Sequence, residues 1–248
     1  MEYPVKIIPN PRPLFYFRKR DLNSRDVVDE QVTNVLNKMY PDHAVRILDI
    51  ACGNHALASR IKESRIKRKL EDDIVTVDIM DPIEPLQFTY WQIDLNNREQ
   101  FEELVNEYRD YFDVILGIET IEHLENPKMY LHYLKEMLND DGHIFISTPN
   151  INNPMTRRTF YKKGKLEQYS EQDLLQRGHI SIILPHVLDR MASDLKLKPM
   201  IEYPLGLYPK FWLYLNRKSL FITICNLRML RVRGSWKKLY IFKKELVD

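Results

Sequence analysis

The 248-residue sequence has little cysteine, little glycine, no long apolar run and no large excess of either charge. The two cysteines, Cys52 and Cys225, allow neither a disulfide scaffold nor a paired-cysteine metal site, and they fit a cytoplasmic protein. Residues 1–6 lack the pattern of a secretory leader, and no apolar stretch reaches the about 18 residues of a membrane span. Because the formal net charge is only +2, we do not expect nucleic acid as a partner.

What the sequence does contain is a regular alternation of two hydrophobic patterns. Short β-branched runs such as residues 45–50 alternate with segments of helical spacing, and hydrophobic residues make up 44% of the chain. Strands are predicted at 45–50, 74–78, 88–94, 112–118, 143–148, 199–205 and 238–243, and helices from about residues 24, 56, 98, 127 and 185. This alternation predicts an α/β, Rossmann-like fold with a seven-stranded, mostly parallel sheet and helices on both faces.

The domain prediction is a single domain with two additions. Residues 1–22 contain four prolines and no sustained period, which indicates an arm lying across the domain at 23–248. Residues 151–183 are expected to form a lid over the site. An apolar and basic helical insertion at 208–234 precedes the last strand, and it could pack on the domain, form a homodimer contact or touch a membrane surface.

The turn after the first long strand reads Asp-Ile-Ala-Cys-Gly-Asn-His from Asp49. It resembles the acidic-x-Gly-x-Gly-x-Gly motif of class I S-adenosylmethionine-dependent methyltransferases. Asp49 and Gly53 match that motif, whereas Ala51 and His55 replace its first and third glycines. Ala51 is a mild departure unless its φ must be positive. His55 is the larger departure, because it affects how closely the turn can approach the cofactor.

The resemblance assigns cofactor roles to residues at the following strand ends. It implies that Asp78, at the end of strand 74–78, accepts hydrogen bonds from the ribose hydroxyls of S-adenosylmethionine. Asp81 is the competing choice for that role, although it also suits a turn. The resemblance places Asp94 near the adenine amine, with a simple turn former as the alternative, and Gly117 among the cofactor-binding residues.

The strongest similarity covers residues 112–150 and includes the motifs Glu-Thr-Ile-Glu-His, from Glu119, and Ser-Thr-Pro-Asn. It resembles the branch that includes ubiquinone-biosynthesis O-methyltransferases. The resemblance implies a divalent metal such as Mg²⁺ on Glu119, Glu122, His123 and His179, beside the acceptor hydroxyl. In the alternative, Glu122 and His123 cap and pack the next helix. Without metal, Glu119, His123 and His179 remain the catalytic candidates, and a histidine removes the proton.

The expected reaction is methyl transfer from S-adenosylmethionine to a hydroxyl, in preference to a nitrogen, of a small anionic or sugar-like metabolite. Arg157 and Arg158, in a basic stretch of the lid, are predicted to bind the anionic group, although a solvated loop would look the same. Three alternatives stay open: an O-methyltransferase of a lipid-like phenol at the membrane surface, an RNA 2′-O-methyltransferase, and an inactive binding subunit with the cofactor fold.

Overall fold

The computed structural model describes residues 6–7, 25–81, 87–166, 168–207 and 235–245, whose strands form one sheet. The strands are β1 (Lys6–Ile7), β2 (Arg46–Ile50), β3 (Asp73–Asp78), β4 (Thr89–Gln92), β5 (Phe112–Ile118), β6 (Leu138–Pro149), β7 (Leu197–Leu207) and β8 (Ser235–Lys244). Their order across the sheet is β1-β7-β8-β6-β5-β2-β3-β4.

The sheet is parallel except around β8. Neighbouring strands from β2 to β6 pair in parallel, whereas β8 lies antiparallel between β6 and β7. The predicted seven-stranded, mostly parallel, Rossmann-like sheet is therefore confirmed by β2 to β8. The two residues of β1 come from the predicted arm and pair in parallel with β7, which adds an eighth strand.

The helices alternate with the strands along the chain. They are α1 (Arg25–Met39), α2 (Ala56–Ile66), α3 (Arg98–Glu107), α4 (Pro127–Met137), α5 (Pro154–Lys163), α6 (Glu171–Arg177) and α7 (Pro185–Asp194), with a single 3-10 turn at Ile121–His123. Helix α1 buries Val28, Val32 and Leu36 and ends before Pro41, as its spacing predicts. None of the helices in the described ranges is long and apolar enough to cross a bilayer.

Two hydrophobic clusters, one on each face of the sheet, form the core. In β2, Leu48 packs in the cluster with α3, α4 and α7, while its neighbour Ile47 packs in the cluster with α1 and α2. The same alternation separates Ile146 from Phe145 in β6. Since successive side chains of a strand point to opposite faces, this pattern places helices on both faces, as predicted.

The structure differs from the sequence prediction in two places. Two short helices, α5 and α6, lie in the predicted lid; Asn153 caps the first, and Ser170 forms a capping box at the second. Strand β6 begins at Leu138, before the predicted 143. The predicted insertion at 208–234 and the arm, apart from β1, lie outside the described residues.

Candidate active site

The candidate residues gather along one edge of the sheet. Strands β2 to β6 run in parallel, so their carboxyl ends lie at the same edge, where open α/β sheets bind ligands. The turn at 51–55 follows β2, Asp78 ends β3, and Glu119 follows β5. The residues singled out from three separate sequence motifs are therefore neighbours in space.

The turn after β2 has left-handed backbone angles at three alternate positions. Ala51, Gly53 and His55 have φ values of 59°, 59° and 58°. A Cβ on Gly53 would have no atom within 4 Å, so backbone conformation rather than space favours glycine there. A left-handed backbone costs a residue with a side chain about 1 kcal/mol. Because the φ of Ala51 is positive, replacing the first glycine of the motif with alanine is not a mild departure.

His55 is accommodated by aromatic stacking. Its imidazole lies 5.4 Å from the ring centroid of Tyr90 and 6.0 Å from that of Phe88, with the ring planes within 22° of parallel. Only 8% of His55 is exposed. The large side chain thus packs against aromatic rings on the β4 side of the edge.

Asp78 ties the first two strand ends together. Its Oδ2 accepts a hydrogen bond from the Gly53 N–H at 2.7 Å, and its Oδ1 accepts one from the Met80 N–H at 3.1 Å. Asp81, the alternative ribose ligand, is exposed and accepts a hydrogen bond from Gln92 at 3.1 Å. Asp78 is therefore the carboxylate held against the turn, as the cofactor assignment requires, and that assignment stays a prediction.

Asp49 lies beneath the turn rather than on its surface. It is 1% exposed, and its Oδ2 has no hydrogen-bond partner in the part of the chain that the structure describes. Burial raises the pKa of Asp49 to about 7, although the Arg25 charge and the Ala58 N–H partly oppose this shift. The carboxyl group therefore acts on the shape and charge of the turn from inside the protein.

We expect Asp49→Asn to stabilise the protein at high pH. The pKa of Asp49 is near 3.8 in the unfolded chain and near 7 in the folded protein. The free energy of unfolding of the wild type therefore falls as pH rises between these two values. The advantage of the variant should be near zero at pH 4 and reach at most about 4 kcal/mol above pH 7. Urea unfolding across this range measures it; a pH-independent difference would contradict the expected titration.

Asp94 and Gly117 both have local structural contacts. Asp94 Oδ1 accepts the Asn96 N–H at 2.9 Å, so this side chain shapes its own turn, which was the alternative interpretation. A Cβ on Gly117 would lie 2.3 Å from the Tyr130 hydroxyl. Gly117 is thus required for close packing on the α4 side of the sheet, and cofactor contact by either residue stays a prediction.

Glu119 is held by an ion pair and a serine. Its Oε2 lies 2.7 Å from Lys237 Nζ, and its Oε1 accepts a hydrogen bond from Ser147 Oγ at 2.7 Å. Its backbone has a φ of 59°, a strained angle of the kind found at functional sites. The sequence did not indicate Lys237, because only the pairing of β8 with β6 brings this residue to the same edge of the sheet.

Glu122 is a buried carboxyl group. It is 0% exposed, and among the described residues neither carboxyl oxygen has a partner with full hydrogen-bond geometry. Burial, and to a lesser degree the charge of Glu119, raises the pKa of Glu122 well above its ordinary value. Among the described residues, the Thr148 and Tyr169 hydroxyls are likewise buried and have no partner with full hydrogen-bond geometry. Burial and then the charge of Glu122 raise the pKa of Tyr169, and the nearby Thr148 hydroxyl partly offsets the raised pKa of both Glu122 and Tyr169. We call these three side chains the polar cluster.

His123 and His179 stand beside Glu122. One ligand atom from each of the three side chains lies within 4.8 Å of the others, so we call them the Glu-His-His group. The segment predicted to form the lid brings His179 there, because the N–H groups of Ile180 and Ser181 donate to the Glu122 carbonyl at 3.0 and 2.9 Å. Sequence analysis predicted that these residues and Glu119 converge, but Glu119 is outside the group.

The two histidines differ in their surroundings. Burial and the neighbouring His179 lower the pKa of His123. His179 Nδ1 lies 2.6 Å from the Gln168 carbonyl oxygen, which can only accept a hydrogen bond. Nδ1 of His179 therefore carries a proton, and in the neutral ring Nε2 presents a lone pair.

The predicted substrate arginines lie on the lid. Arg157 and Arg158 are exposed residues of α5, and Asn153 caps this helix by accepting the Thr156 N–H at 2.8 Å. Their side chains face solvent, so acceptor binding by these arginines stays a prediction.

Known proteins share this fold and part of this sequence. A protein-family model described as a methyltransferase domain matches residues 16–198. The ubiquinone biosynthesis O-methyltransferase of Cereibacter sphaeroides is 28% identical over 134 residues, which are 51% of this chain and 52% of that protein. The mitochondrial ubiquinone biosynthesis O-methyltransferase of Dictyostelium discoideum is 26% identical over 120 residues, 44% of this chain and 37% of that protein.

The chain thus spans about half or less of the length of these curated relatives. A crystal structure of an S-adenosylmethionine-dependent methyltransferase from Archaeoglobus fulgidus has a TM-score of 0.53 at 18% identity, over 87% of this chain and 94% of that one. This likeness shows the fold. Since the family model matches most of its residues, the chain belongs to the methyltransferase domain family.

Proposed function

We propose that the chain transfers a methyl group from S-adenosylmethionine to a hydroxyl of a small anionic or sugar-like acceptor. The observation that carries this proposal is the Glu-His-His group, which lies at the same sheet edge as the cofactor turn. The buried Thr148 and Tyr169 hydroxyls, which have no partner with full hydrogen-bond geometry among the described residues, lie beside Glu122 of this group. Membership of the methyltransferase domain family supports the choice of donor.

The residues on the cofactor side of the site bind and orient S-adenosylmethionine. S-adenosylmethionine supplies an electrophilic sulfonium methyl group, and its transfer needs chiefly alignment with the attacking oxygen. Each Asp78 carboxylate oxygen accepts one backbone N–H and keeps a second lone pair for a ribose hydroxyl, while the turn at 51–55 brings backbone close to the ligand. The short hydrogen bond between Asp78 and Gly53 makes these two features one unit.

The acceptor side removes a proton. His179 Nε2 has a free lone pair because the Gln168 carbonyl fixes the proton on Nδ1. The lowered pKa of His123 keeps that imidazole neutral at physiological pH. Either ring can therefore take the proton of an acceptor hydroxyl as its oxygen attacks, and the Gln168 contact favours His179 as the base.

The polar cluster of Glu122, Thr148 and Tyr169 suits the polar groups of the acceptor. Buried hydroxyl and carboxyl groups without partners are costly, and a bound polar ligand or water removes that cost. The three side chains come from the turn after β5, the end of β6 and the lid. An acceptor that enters beneath the lid would contact all three.

We expect Thr148→Val and Tyr169→Phe each to raise the KM for the acceptor by about 5- to 20-fold, since each removes one hydrogen bond. The KM for S-adenosylmethionine should stay within about twofold, because neither hydroxyl lies at the cofactor turn. Tyr161→Phe is the matched control, because Tyr161 is 91% exposed on the same lid. Equal KM values for the acceptor in all variants would show that the polar cluster does not bind the acceptor.

The Glu-His-His group also fits a divalent cation. One carboxyl oxygen and two imidazole nitrogens within 4.8 Å of one another can be shared by one ion at about 2.0 to 2.6 Å. Two imidazoles suit a transition metal such as Zn²⁺ better than the Mg²⁺ named from the resemblance. Such an ion would lower the pKa of the acceptor hydroxyl. Glu122, His123 and His179 would hold it.

A lipid-like phenol is the second candidate acceptor. The curated relatives are ubiquinone biosynthesis O-methyltransferases, and the lid exposes large apolar side chains such as Tyr161 at 91% and Leu175 at 78%. Basic residues of α5, including Arg157 and Arg158, accompany these side chains. Anionic lipid would suit this surface, whereas a soluble anionic acceptor needs only the arginines.

The assay that separates these acceptors compares soluble nucleotide-sugars and phosphorylated metabolites with phenols in vesicles, with and without chelator. The proposal expects turnover of a soluble acceptor and a KM about tenfold or more higher in Arg157→Ala/Arg158→Ala. The control is Lys67→Ala/Arg68→Ala, an exposed pair beyond the far end of α2. Turnover confined to vesicles would overturn the soluble acceptor in favour of the phenol.

A further inference from the structure

We infer that Lys237 is an internal cation that holds Glu119 apart from the Glu-His-His group and so restricts this group to three metal ligands. The inference rests on the proposed acceptor site but not on methyl transfer itself. Lys237 thereby acts as a positioning residue. With Lys237 present, divalent cations bind weakly; without it, Glu119 becomes a fourth ligand.

The contacts of Glu119 show why its carboxylate is not available to the Glu-His-His group as a metal ligand. Its Oε2 pairs with Lys237 Nζ at 2.7 Å, and its Oε1 accepts the Ser147 hydroxyl at 2.7 Å. The backbone N–H of Glu119 also donates to Ser147 Oγ at 3.0 Å. The Lys237 and Glu119 side chains are only 15% and 11% exposed, so water screens their attraction weakly. Both carboxylate oxygens are therefore engaged.

Glu119 nevertheless belongs to the same short segment as two members of the group. It follows the last residue of β5 and stands three residues before Glu122, and the 3-10 turn at Ile121–His123 begins two residues after Glu119. Glu119 is thus a neighbouring carboxylate whose oxygens are turned to another partner.

Lys237 also brings positive charge close to the group. Its Nζ lies 2.7 Å from Glu119, which stands three residues before Glu122. A divalent cation entering the group would meet this nearby positive charge and would find Glu119 already engaged. Both effects weaken metal binding.

The pairing register between β6 and β8 places Lys237 near Glu119. Lys237 is paired with Pro149 across β6 and β8, and Leu239 is paired with Ser147. Lys238 is paired with Thr148 but forms its ion pair with Glu202, on β7. Since successive strand residues point to opposite faces, Lys238 is a neighbouring lysine of equal charge that serves a different carboxylate.

Titration with Mn²⁺, followed by the electron paramagnetic resonance of the free ion, tests the inference on the whole chain. We expect wild type and Lys238→Met to bind Mn²⁺ weakly and Lys237→Met to bind it at least tenfold more tightly. The double variant Lys237→Met/Glu119→Gln should return to wild-type affinity, because the fourth ligand is lost. The readout needs neither methyl donor nor acceptor, so a failed methyl-transfer assay leaves it intact.

Thermal unfolding identifies any variant that does not fold, and Lys237→Gln then replaces Lys237→Met. Lys237→Arg keeps the positive charge and should bind Mn²⁺ as weakly as wild type. Unchanged affinity in the folded, uncharged variants would overturn the inference. Tighter binding that persists in the double variant would overturn it too, because Glu119 would then not be the added ligand.

Discussion

His179→Ala is expected to lower kcat for methyl transfer by about 100- to 10,000-fold, the usual contribution of a general base. The physical reason is the fixed tautomer, since the Gln168 carbonyl at 2.6 Å holds the proton on Nδ1 and leaves Nε2 as acceptor. The KM for S-adenosylmethionine should change little, because His179 stands at the lid rather than at the cofactor turn. Single-turnover kinetics with saturating acceptor measure the chemical step.

Two further histidine variants separate proton transfer from lid positioning. His179→Asn keeps an N–H donor for the Gln168 carbonyl but lacks the Nε2 lone pair, so its kcat should be as low as that of the alanine variant. His186→Ala should match wild type, because His186 is exposed on α7. High activity in His179→Asn would assign His179 to holding the lid and leave His123 as the base.

Asp78→Ala is expected to weaken binding of S-adenosylmethionine by about 10- to 150-fold, equivalent to roughly 1.5 to 3 kcal/mol for hydrogen bonds to a charged group. Two losses contribute to this effect. The ribose loses its acceptors, and the Gly53 N–H, now 2.7 Å from Asp78 Oδ2, loses the contact that holds the turn. Isothermal calorimetry with S-adenosylhomocysteine measures the change without turnover.

Asp81→Ala is the matched control for this experiment. Asp81 is three residues from Asp78, exposed, and hydrogen-bonded to Gln92 at 3.1 Å, so its removal should leave affinity within about twofold. Asp78→Asn should lie between the alanine variant and wild type, because its amide oxygen can still accept the Gly53 N–H. Loss of affinity in Asp81→Ala with none in Asp78→Ala would reverse the two assignments.

Much of the fold could be predicted from local pattern. The buried run at 45–50 and the helical spacing of Val28, Val32 and Leu36 each report burial directly, and both elements form where predicted. The start of β6 could not be predicted, because residues 139–142 are polar and extended. The helices α5 and α6 were also missed: their exposed residues give no apolar period, although Asn153 and Ser170 are recognisable caps.

The candidate site was predictable where residues are close in sequence. Glu122 and His123 are adjacent in the chain, and the resemblance added His179, which the structure brings beside them. Lys237 and Tyr169 could not be found, because their roles arise from β6–β8 pairing and from the lid. The left-handed angle of Ala51 was equally hidden, since alanine gives no signal of positive φ.

A crystal structure of the complex with S-adenosylhomocysteine tests the central claim, that the cofactor turn and the Glu-His-His group form one site. The account predicts ribose hydroxyls within hydrogen-bonding distance of Asp78 and the ligand sulfur directed toward His123 and His179. Electron density for the ligand at another edge of the sheet, or a sulfur directed away from both histidines, would contradict it.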